Sequence, residues 1–307
     1  MTKKKAQKKK KYFSNVESKN KNTHFTIRRK TFNKLHKHCV SLWIASSTEL
    51  IHLNESKTPI SIDLSLKKPT QIRSGTLTFV TTQGKYYGIT CNHVIKQLEI
   101  QNNNTITEFL EQGLIDEKTA VNLDYKAYKL VISTKKYTDL SNFNFIQPNA
   151  QYPHDKPDIR IAKLDKSIIE GIGKVAIDID CKEEVPENLQ FAIALGFPEN
   201  LKRQISLDKS SHQILMPHNT IIAELQSNTP KERFTLYSQL DVEIERNFSG
   251  MSGGPIFWME KMNYNILGII YESPNTQYDA FTKKDLMICG ELATPSIIKK
   301  WINELEI

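Results

Sequence analysis

One short segment combines a nucleophile with the backbone freedom that acyl transfer requires. Residues 250–255 read Gly-Met-Ser-Gly-Gly-Pro, so glycines on both sides of Ser252 predict a sharp turn in which φ can be positive. Such a turn can aim the backbone N–H groups of Gly250 and Ser252 at one point beside the Ser252 hydroxyl. Two such donors would stabilise an oxyanion, each being worth roughly 10²–10³ in rate. The alternative is an ordinary glycine-rich turn between two strands.

A serine hydroxyl needs a base to become a good nucleophile, and this base is usually histidine. His93 is the best placed of the eight histidines, because it follows a predicted strand where the chain turns or begins a short helix. The others belong to or adjoin the N-terminal tail, or stand in polar, loop-like contexts: His24, His36, His38, His52, His154, His212 and His218. His93 taken alone does not identify a catalytic site.

The third requirement is a carboxylate that holds the imidazole in one tautomer and stabilises its charged form. Asp158 opens the apolar segment Asp158–Leu164 and is a candidate for this role. It could equally be a turn residue that caps a strand. Spacing leaves Asp124, Asp139 and Asp155 open as competitors.

Short β-branched runs separated by turn residues make up most of the chain. Arg73–Thr82 and Lys85–Cys91 alternate around Gln83-Gly84 and predict a hairpin. Further strands are predicted at Tyr128–Ser133, Asp158–Leu164, Leu189–Gly196, Gln239–Glu243, Gly254–Trp258 and Ile266–Tyr271. Helices are predicted at Thr105–Gln112, after a polar loop at Gln101–Asn104, and at the C-terminus, where Thr294 is the N-cap and Pro295 the first helical residue. This pattern indicates an all-β body with a C-terminal helix, which suits a pair of barrels.

The positive charge of the chain is concentrated at one end. The 307 residues carry 42 Lys and Arg against 34 Asp and Glu, a net charge of +8. Residues 1–30 carry twelve basic residues and one acid, which leaves −3 for residues 31–307. A domain that coats nucleic acid over its whole surface is therefore disfavoured. Residues 1–35 are predicted to be a basic, disordered tail that could bind nucleic acid, an anionic membrane or an acidic protein, or simply be solvated.

Other features exclude several classes of protein. No run of about 18 apolar residues is present, so a transmembrane segment is not expected, and no apolar region follows the first lysines as a signal peptide requires. The cysteines, Cys39, Cys91, Cys181 and Cys289, form no C-x-x-C pair, so a zinc site made of cysteines is not expected. We therefore expect reduced thiols, a cytoplasmic location, and neither metal nor cofactor.

Four blocks of the sequence resemble the trypsin/chymotrypsin-like serine peptidases, especially bacterial members such as the heat-shock serine proteases. The blocks are Thr90–Val94 (T-x-x-H-V), Asp158–Leu164 (D-I-A-x-L-K-L), Ala194–Pro198 (A-x-G-Y/F-P), and Gly250–Pro255 with the following Ile266–Ile269. The order His, Asp, Ser along the chain is that of this family, whereas α/β-hydrolases and subtilisins have other orders. The resemblance extends over roughly Val40 to Leu305.

The resemblance implies a fold and a set of roles. It implies two six-stranded antiparallel β-barrels with a C-terminal helix, in a peptidase domain over residues 36–307 with its cleft between the barrels. Ser252 would be the nucleophile, His93 the general base and then acid, and Asp158 the orienting carboxylate. The amides of Gly250 and Ser252 would form the oxyanion hole.

The resemblance also implies where a substrate would lie. The backbone of Tyr271, Glu272 and Ser273 would pair with an extended peptide strand. Arg246, six residues before the serine, falls where the floor of the first specificity pocket is often set. There it would favour an acidic substrate side chain, or it is a surface arginine that balances nearby glutamates.

Three departures from the family pattern are visible. Met251 stands where digestive members carry the aspartate that pairs with a freshly cleaved N-terminus, so that activation switch should be absent. No cysteine follows His93, and after the C-terminal helix no room remains for the PDZ module of the heat-shock proteases. Arg160 replaces an expected alanine, which puts the packing near Asp158 in question.

Two hypotheses follow for function. The first is a serine endopeptidase that hydrolyses polypeptides through an acyl-enzyme. The second is an inactive or weakly active binding module with the peptidase fold, tethered to a partner through the basic tail.

Overall fold

The computed structural model describes residues 33–45, 74–111, 129–133, 137–140, 143–149, 156–181, 185–201, 203–206, 212–226, 232–241, 243, 248–260, 263–272 and 284–305. The strands are β1 (Cys39–Ala45), β2 (Ser74–Thr82), β3 (Lys85–Cys91), β4 (Lys129–Ser133), β5 (Tyr137–Asp139), β6 (Ile159–Leu164), β7 (Ile177–Asp178), β8 (Phe191–Gly196), β9 (Arg203–Ser206), β10 (His212–Leu215), β11 (Asn219–Leu225), β12 (Arg233–Gln239), β13 (Pro255–Glu260), β14 (Asn263–Glu272) and β15 (Asp285–Leu292). The α-helices are α1 (Asn92–Glu111), α2 (Lys166–Gly171) and α3 (Pro295–Glu304). Short 3₁₀-helices cover His36–His38 and Glu199–Leu201.

The strands from β8 to β15, which are called the second half of the molecule below, include six that form a closed barrel. Its strands follow one another around the barrel in the order β11-β12-β15-β14-β13-β8, while β9 and β10 form a separate hairpin. Apolar side chains that alternate along these strands fill the interior, among them Ala192, Leu236, Ile256 and Ile288. The sequence-based prediction of a six-stranded barrel is confirmed for this half.

Strands β1–β7, called the first half of the molecule below, form an open sheet in the described residues. The prediction of a second closed barrel is therefore not confirmed. Its strand order is β5-β4-β1-β2-β3-β6, and the short β7 lies beside the end of β2. The free edge of β6 is occupied by another segment: Ile146 and Ile161 exchange two backbone hydrogen bonds, both of 2.9 Å. In the described residues β5 pairs with β4 and not with β6.

The β2–β3 hairpin is the clearest agreement between sequence and structure. The strands pair antiparallel from Thr78 opposite Ile89 to Thr82 opposite Lys85. The two turn residues, Gln83 and Gly84, have φ of 49° and 73°. Positive φ at both positions gives the turn a twist that matches the twist of the flanking strands.

Two other predictions need correction. The helix predicted at Thr105–Gln112 is the second half of α1, and the predicted polar loop at Gln101–Asn104 is helical. The first half of α1 is held by the buried Val94, Ile95 and Leu98, so tertiary packing overrides the weak helix propensity of the asparagines. The strand predicted at Gln239–Glu243 is wrong, because β12 ends at Gln239.

The C-terminal helix is present as predicted. α3 begins at Pro295 after Thr294, and its Ile298, Trp301 and Ile302 are buried in a core cluster that includes side chains of both the open sheet and the barrel strands. Leu35, near the start of the described residues, is buried in the same core, whereas the rest of the predicted basic tail, residues 1–32, lies outside the described residues. Among the helices that the structure describes, none has the length and apolar character needed to cross a membrane.

Buried threonines join the open sheet to the glycine-rich turn at residues 250–255. Thr76 and Thr78 lie on β2, Thr90 lies on β3, and all three are fully buried. The Thr76 hydroxyl donates to the carbonyl of Gly250 (2.9 Å), and the Thr76 backbone N–H donates to the carbonyl of Ser252 (2.8 Å). The carbonyls of the turn are thus satisfied by the other half of the molecule.

The turn approaches the open sheet too closely for a side chain. Gly253 has φ of +90°, and a Cβ there would lie 2.0 Å from the Thr76 carbonyl oxygen and 2.4 Å from the Thr90 hydroxyl. The Thr78 hydroxyl donates to the Gly253 carbonyl (2.8 Å), and the Thr90 hydroxyl donates to the Thr76 carbonyl (2.8 Å). Only glycine fits at this position, both in conformation and in space.

We expect Thr90→Val to destabilise the protein although the two side chains have nearly the same shape. The valine leaves the buried Thr76 carbonyl without the hydroxyl donor, which costs about 1–3 kcal/mol in the free energy of unfolding. Denaturant unfolding measures this cost. Thr90→Ser, which keeps the hydroxyl, is the control, and a valine variant as stable as wild type would contradict the role of this hydrogen bond.

A buried histidine forms a second joint between the two halves. His38 precedes β1, and its Nδ1 donates to the carbonyl of Val175 (2.8 Å) while its Nε2 accepts from the Tyr264 hydroxyl of β14 (3.1 Å). Acceptance by Nε2 requires the neutral imidazole, whereas donation by Nδ1 is possible in either charge state. Burial, reinforced by the nearby charges of Lys174 and His36, lowers the pKa of His38 to about 4.

We expect His38 to make the protein acid-labile. Between its ordinary pKa of 6.5 and the folded value of about 4, the unfolded chain binds a proton that the folded chain does not. Stability therefore falls as the pH drops through this window, by about 3 kcal/mol in total from this residue. Urea unfolding of wild type and His38→Gln between pH 4 and 7 checks it: the variant should lose less stability with acid, and parallel curves would contradict the assignment.

Candidate active site

The strand register of the open sheet brings His93 and Asp158 together. β3 and β6 pair antiparallel with Cys91 opposite Ile159, so the residue after one strand end faces the residue before the other. The Asn92 amide donates to the Asp158 carbonyl (3.1 Å), which continues the ladder by one step. His93 is then the second residue of α1 and lies beside the Asp158 side chain.

The Asp158 carboxylate makes two contacts with His93. One carboxylate oxygen accepts the backbone N–H of His93 (3.0 Å), and the other contacts the imidazole Nδ1. A carboxylate only accepts, so Nδ1 carries the hydrogen and Nε2 presents a lone pair. The first contact also caps α1, where a negative charge is favoured. The His93 side chain is 36% exposed and is therefore partly accessible to solvent.

Arg160 is accommodated without touching the Asp158 carboxylate. Its Nε donates to the side-chain oxygen of Asn92 (2.9 Å), and its Nη1 donates to the carbonyl of Phe145 (3.2 Å). Arg160 therefore supports Asn92, the residue between Cys91 and His93. The question raised by the sequence about packing near Asp158 is answered by these contacts.

A second buried carboxylate lies close to Asp158. Glu291 of β15 is 6% exposed and accepts a hydrogen bond from the Asp158 backbone amide. Burial raises the pKa of Glu291, and the hydrogen bond and charge of Arg233 oppose that shift (Nε to carboxylate, 3.2 Å). The Arg233 guanidinium also lies 4.9 Å from the centre of the Tyr271 ring. The barrel therefore contacts the backbone of Asp158 through Glu291.

Cys91 gives this region a possible metal-binding geometry but unsuitable chemistry. The ligand atoms of Cys91, His93 and Asp158 lie within 4.8 Å of one another. The Cys91 thiol, however, donates to the carbonyl of Ile270 (3.1 Å), and burial raises its pKa well above the ordinary value. A metal would need the thiolate. None of the cysteines named above is in a disulfide.

Ser252 lies in a turn with the conformation that its glycines predicted. Gly250 and Gly253 have φ of +91° and +90°. The Ser252 hydroxyl is half-buried and donates to the carbonyl of Tyr271 (3.2 Å) rather than to His93. The hydroxyl of this candidate nucleophile therefore points toward the end of β14.

The backbone N–H groups of Gly250 and Ser252 differ from those of the other residues of the turn in their hydrogen bonding. The N–H groups of Met251, Gly253 and Gly254 each donate to a backbone carbonyl. Within the described residues, no group accepts a hydrogen bond from the N–H of Gly250 or of Ser252. These are the two donors that the sequence assigned to an oxyanion hole, and they are available to a ligand oxygen.

Met251 differs from the family pattern in a way that the structure explains. Its side chain is fully buried in the core of the barrel, and it packs so tightly on Gly196 that a Cβ there would lie 2.8 Å from it. No carboxylate is present at this position to pair with a new N-terminus. The turn is held instead by the hydrogen bonds from Thr76 and Thr78 described above.

The residues predicted to bind substrate are only partly described. Tyr271 and Glu272 end β14, where a register shift against β15 interrupts regular pairing. A bulge of this kind often re-aims the backbone beside an active site. Arg246 and Ser273 lie outside the described residues.

Several residues around the site were not found from the sequence. They are Thr76, Thr78, Thr90, Glu199, Arg233 and Glu291. The threonines alternate on β2 and β3 within apolar strands, and buried polar residues on one face were a usable signal. The glutamates and the arginine show no such signal, because their partners are distant in sequence.

Comparison with known proteins gives structural matches only. No protein-family model and no curated protein matches the chain. Among the solved structures that are similar is a thermostable serine protease, AL20, from an extremophilic microorganism (TM-score 0.42, 9% identity, 86% of this chain and 95% of that one). Another is the protease Anisep from Arthrobacter nicotinovorans (TM-score 0.42, 11% identity, 87% and 94%). A third concerns coupled folding and binding of the Sesbania mosaic virus VPg protein (TM-score 0.39, 9% identity, 82% and 85%). Serine proteases are thus among the structural neighbours of this chain, at an identity that does not extend to function.

Proposed function

We propose that this protein is a serine endopeptidase that cleaves polypeptides by acyl transfer. The observation that carries the proposal is that the N–H groups of Gly250 and Ser252, on the turn that bears the Ser252 hydroxyl, meet no acceptor among the described residues. Donors fixed beside a hydroxyl serve a reaction in which negative charge develops on an oxygen. In this proposal His93, oriented by its contact with Asp158, is the base that such a hydroxyl requires.

The first chemical step uses these groups in turn. The Ser252 oxygen attacks the carbonyl carbon of the scissile peptide bond, and its proton passes to Nε2 of His93. The carbonyl oxygen becomes an oxyanion that accepts hydrogen bonds from the amides of Gly250 and Ser252. Asp158 stabilises the imidazolium without taking its proton.

The remaining steps release the two products. The imidazolium gives its proton to the leaving amine as the C–N bond breaks, which leaves the acyl group on Ser252. A water molecule then attacks the ester, with His93 again accepting the proton. Transfer of that proton to the Ser252 oxygen frees the new carboxyl end and restores the enzyme.

Substrate binding and the resting position of Ser252 are linked in this proposal. The Tyr271 carbonyl, which now accepts the Ser252 hydroxyl, belongs to the segment that an extended peptide would pair with. A substrate N–H bound there would compete with the hydroxyl for the carbonyl oxygen. Its arrival would favour rotation of the hydroxyl toward His93.

We expect Ser252→Ala to abolish both peptide hydrolysis and labelling by a fluorophosphonate probe, because the attacking oxygen is gone. Proteomic mapping of cleavage sites with wild type and variant measures hydrolysis and identifies the substrate preference. Ser296→Ala, at an exposed serine of α3, is the matched control and should behave as wild type. Turnover by Ser252→Ala would contradict the mechanism, and a folded wild type that never labels would favour the binding-module hypothesis.

We expect Asp158→Asn to lower kcat by roughly 10³–10⁴-fold, because an amide donor facing Nδ1 favours the wrong imidazole tautomer. The asparagine oxygen can still accept the His93 backbone N–H, so circular dichroism should be unchanged. Asp165→Asn, at an exposed aspartate just beyond the other end of β6, is the control. Equal kcat in Asp158→Asn and wild type would show that another group orients His93.

A further inference from the structure

The oxyanion hole needs a fixed Gly250 amide, and the usual support for it is missing from this chain. Gly250 has φ of +91°, and because glycine adopts many backbone conformations, contacts with its surroundings are needed to hold it in this one. With Met251 buried in the barrel core, no carboxylate next to the nucleophile holds the turn. Another buried carboxylate, that of Glu199, lies beside Gly250.

Glu199 binds the residue before Gly250 at two points. Its backbone N–H donates to the Ser249 carbonyl (2.6 Å), and its carboxylate accepts the Ser249 hydroxyl (3.0 Å). The second carboxylate oxygen accepts the backbone N–H of Ser74, the first residue of β2 (2.7 Å). Glu199 is 7% exposed, so these contacts are shielded from water and correspondingly strong. One side chain thus connects the open sheet to the turn.

Gly250 is also confined by direct packing against Glu199. A Cβ on Gly250 would lie 2.9 Å from Cγ of Glu199 and 2.6 Å from the carbonyl oxygen of Phe197. The Thr76 hydroxyl, which donates to the Gly250 carbonyl, in turn accepts the Phe197 N–H (3.2 Å). The peptide unit on each side of Gly250 is therefore restrained by a group on another segment.

We propose that Glu199 is a positioning residue for the oxyanion hole, which aims the Gly250 N–H by fixing Ser249. The inference rests on the proposed peptidase function, since it assigns Glu199 a part in that reaction. It also supplies a support for the turn that needs no new N-terminus. The turn is accordingly held in the active conformation in the intact chain.

The negative charge of Glu199 would slow the proposed reaction, whereas its hydrogen bonds would favour it. A buried carboxylate near the turn repels a developing oxyanion, whereas its hydrogen bonds hold the donor in place. Replacement by glutamine removes the charge and keeps an oxygen for the Ser74 N–H and a polar group for Ser249. Replacement by alanine removes both the charge and the contacts. The two variants therefore separate positioning from electrostatics.

The kinetic test measures the rate constant and the affinity of fluorophosphonate labelling separately. For Glu199→Ala we expect kinact to fall by roughly 10²–10³-fold, the loss that follows removal of one oxyanion donor, with KI unchanged. Glu199→Gln should retain most of kinact, and Ser249→Ala should lose less than Glu199→Ala. Glu260→Gln, at the exposed end of β13, is the matched control and should equal wild type. A folded Glu199→Ala with wild-type kinact, or a glutamine variant as slow as the alanine variant, would overturn the proposal.

A second measurement needs no activity. Labelling with ¹³C-serine and ¹⁵N-glycine selects the Ser–Gly amides, those of Gly75, Gly250 and Gly253. In Glu199→Ala the Gly250 amide resonance should shift and exchange faster with solvent, while that of Gly253 should stay in place. An unchanged Gly250 resonance would overturn the proposal. If wild type itself never labels with the probe, the peptidase function fails, and this spectrum still decides whether Glu199 fixes Gly250.

Discussion

The candidate site depends above all on how closely the glycine-rich turn lies against β2. With no space for a Cβ at Gly253, the backbone of the turn lies directly on the backbone of the open sheet. Its carbonyls are then satisfied by the hydroxyls and amide of Thr76 and Thr78. Ser252 belongs by sequence to the barrel, yet its position is set by the other half of the molecule. A relative movement of the two halves would therefore displace Ser252 from β2.

The register between β3 and β6 fixes the positions of His93 and Asp158. Neither residue lies within a strand: Asp158 precedes β6, and His93 follows β3 at the start of α1. Residues at element ends keep their side chains partly accessible while the paired strands hold the backbone rigid. The Glu291 carboxylate extends the same arrangement to the barrel, because it accepts the Asp158 amide. Both halves therefore contact the His–Asp pair as well as the turn.

The sequence was most informative where local chemistry alone determines conformation. The positive φ at Gly250, the hairpin turn at Gln83-Gly84 and the start of α3 at Pro295 follow from single residue types. It was least informative where a long-range contact decides. The Asn-rich stretch is helical because neighbouring apolar residues are buried, and the edge of β6 is taken by Ile146, so no pattern within either segment reveals the outcome. Glu199 is the sharpest case, since its partners lie about 50 and 125 positions away.

The amides of Gly250 and Ser252, which meet no acceptor in the described part of the chain, set stability against the proposed activity. A backbone donor without a protein acceptor forgoes the roughly 1 kcal/mol that a typical hydrogen bond contributes to the native state. A substitution that placed a side-chain oxygen over this turn would recover part of that free energy and would also block the site. Selection of variants by heat resistance alone would therefore favour loss of the proposed peptidase activity at this turn, as expected where proteins keep a destabilised site for the sake of activity.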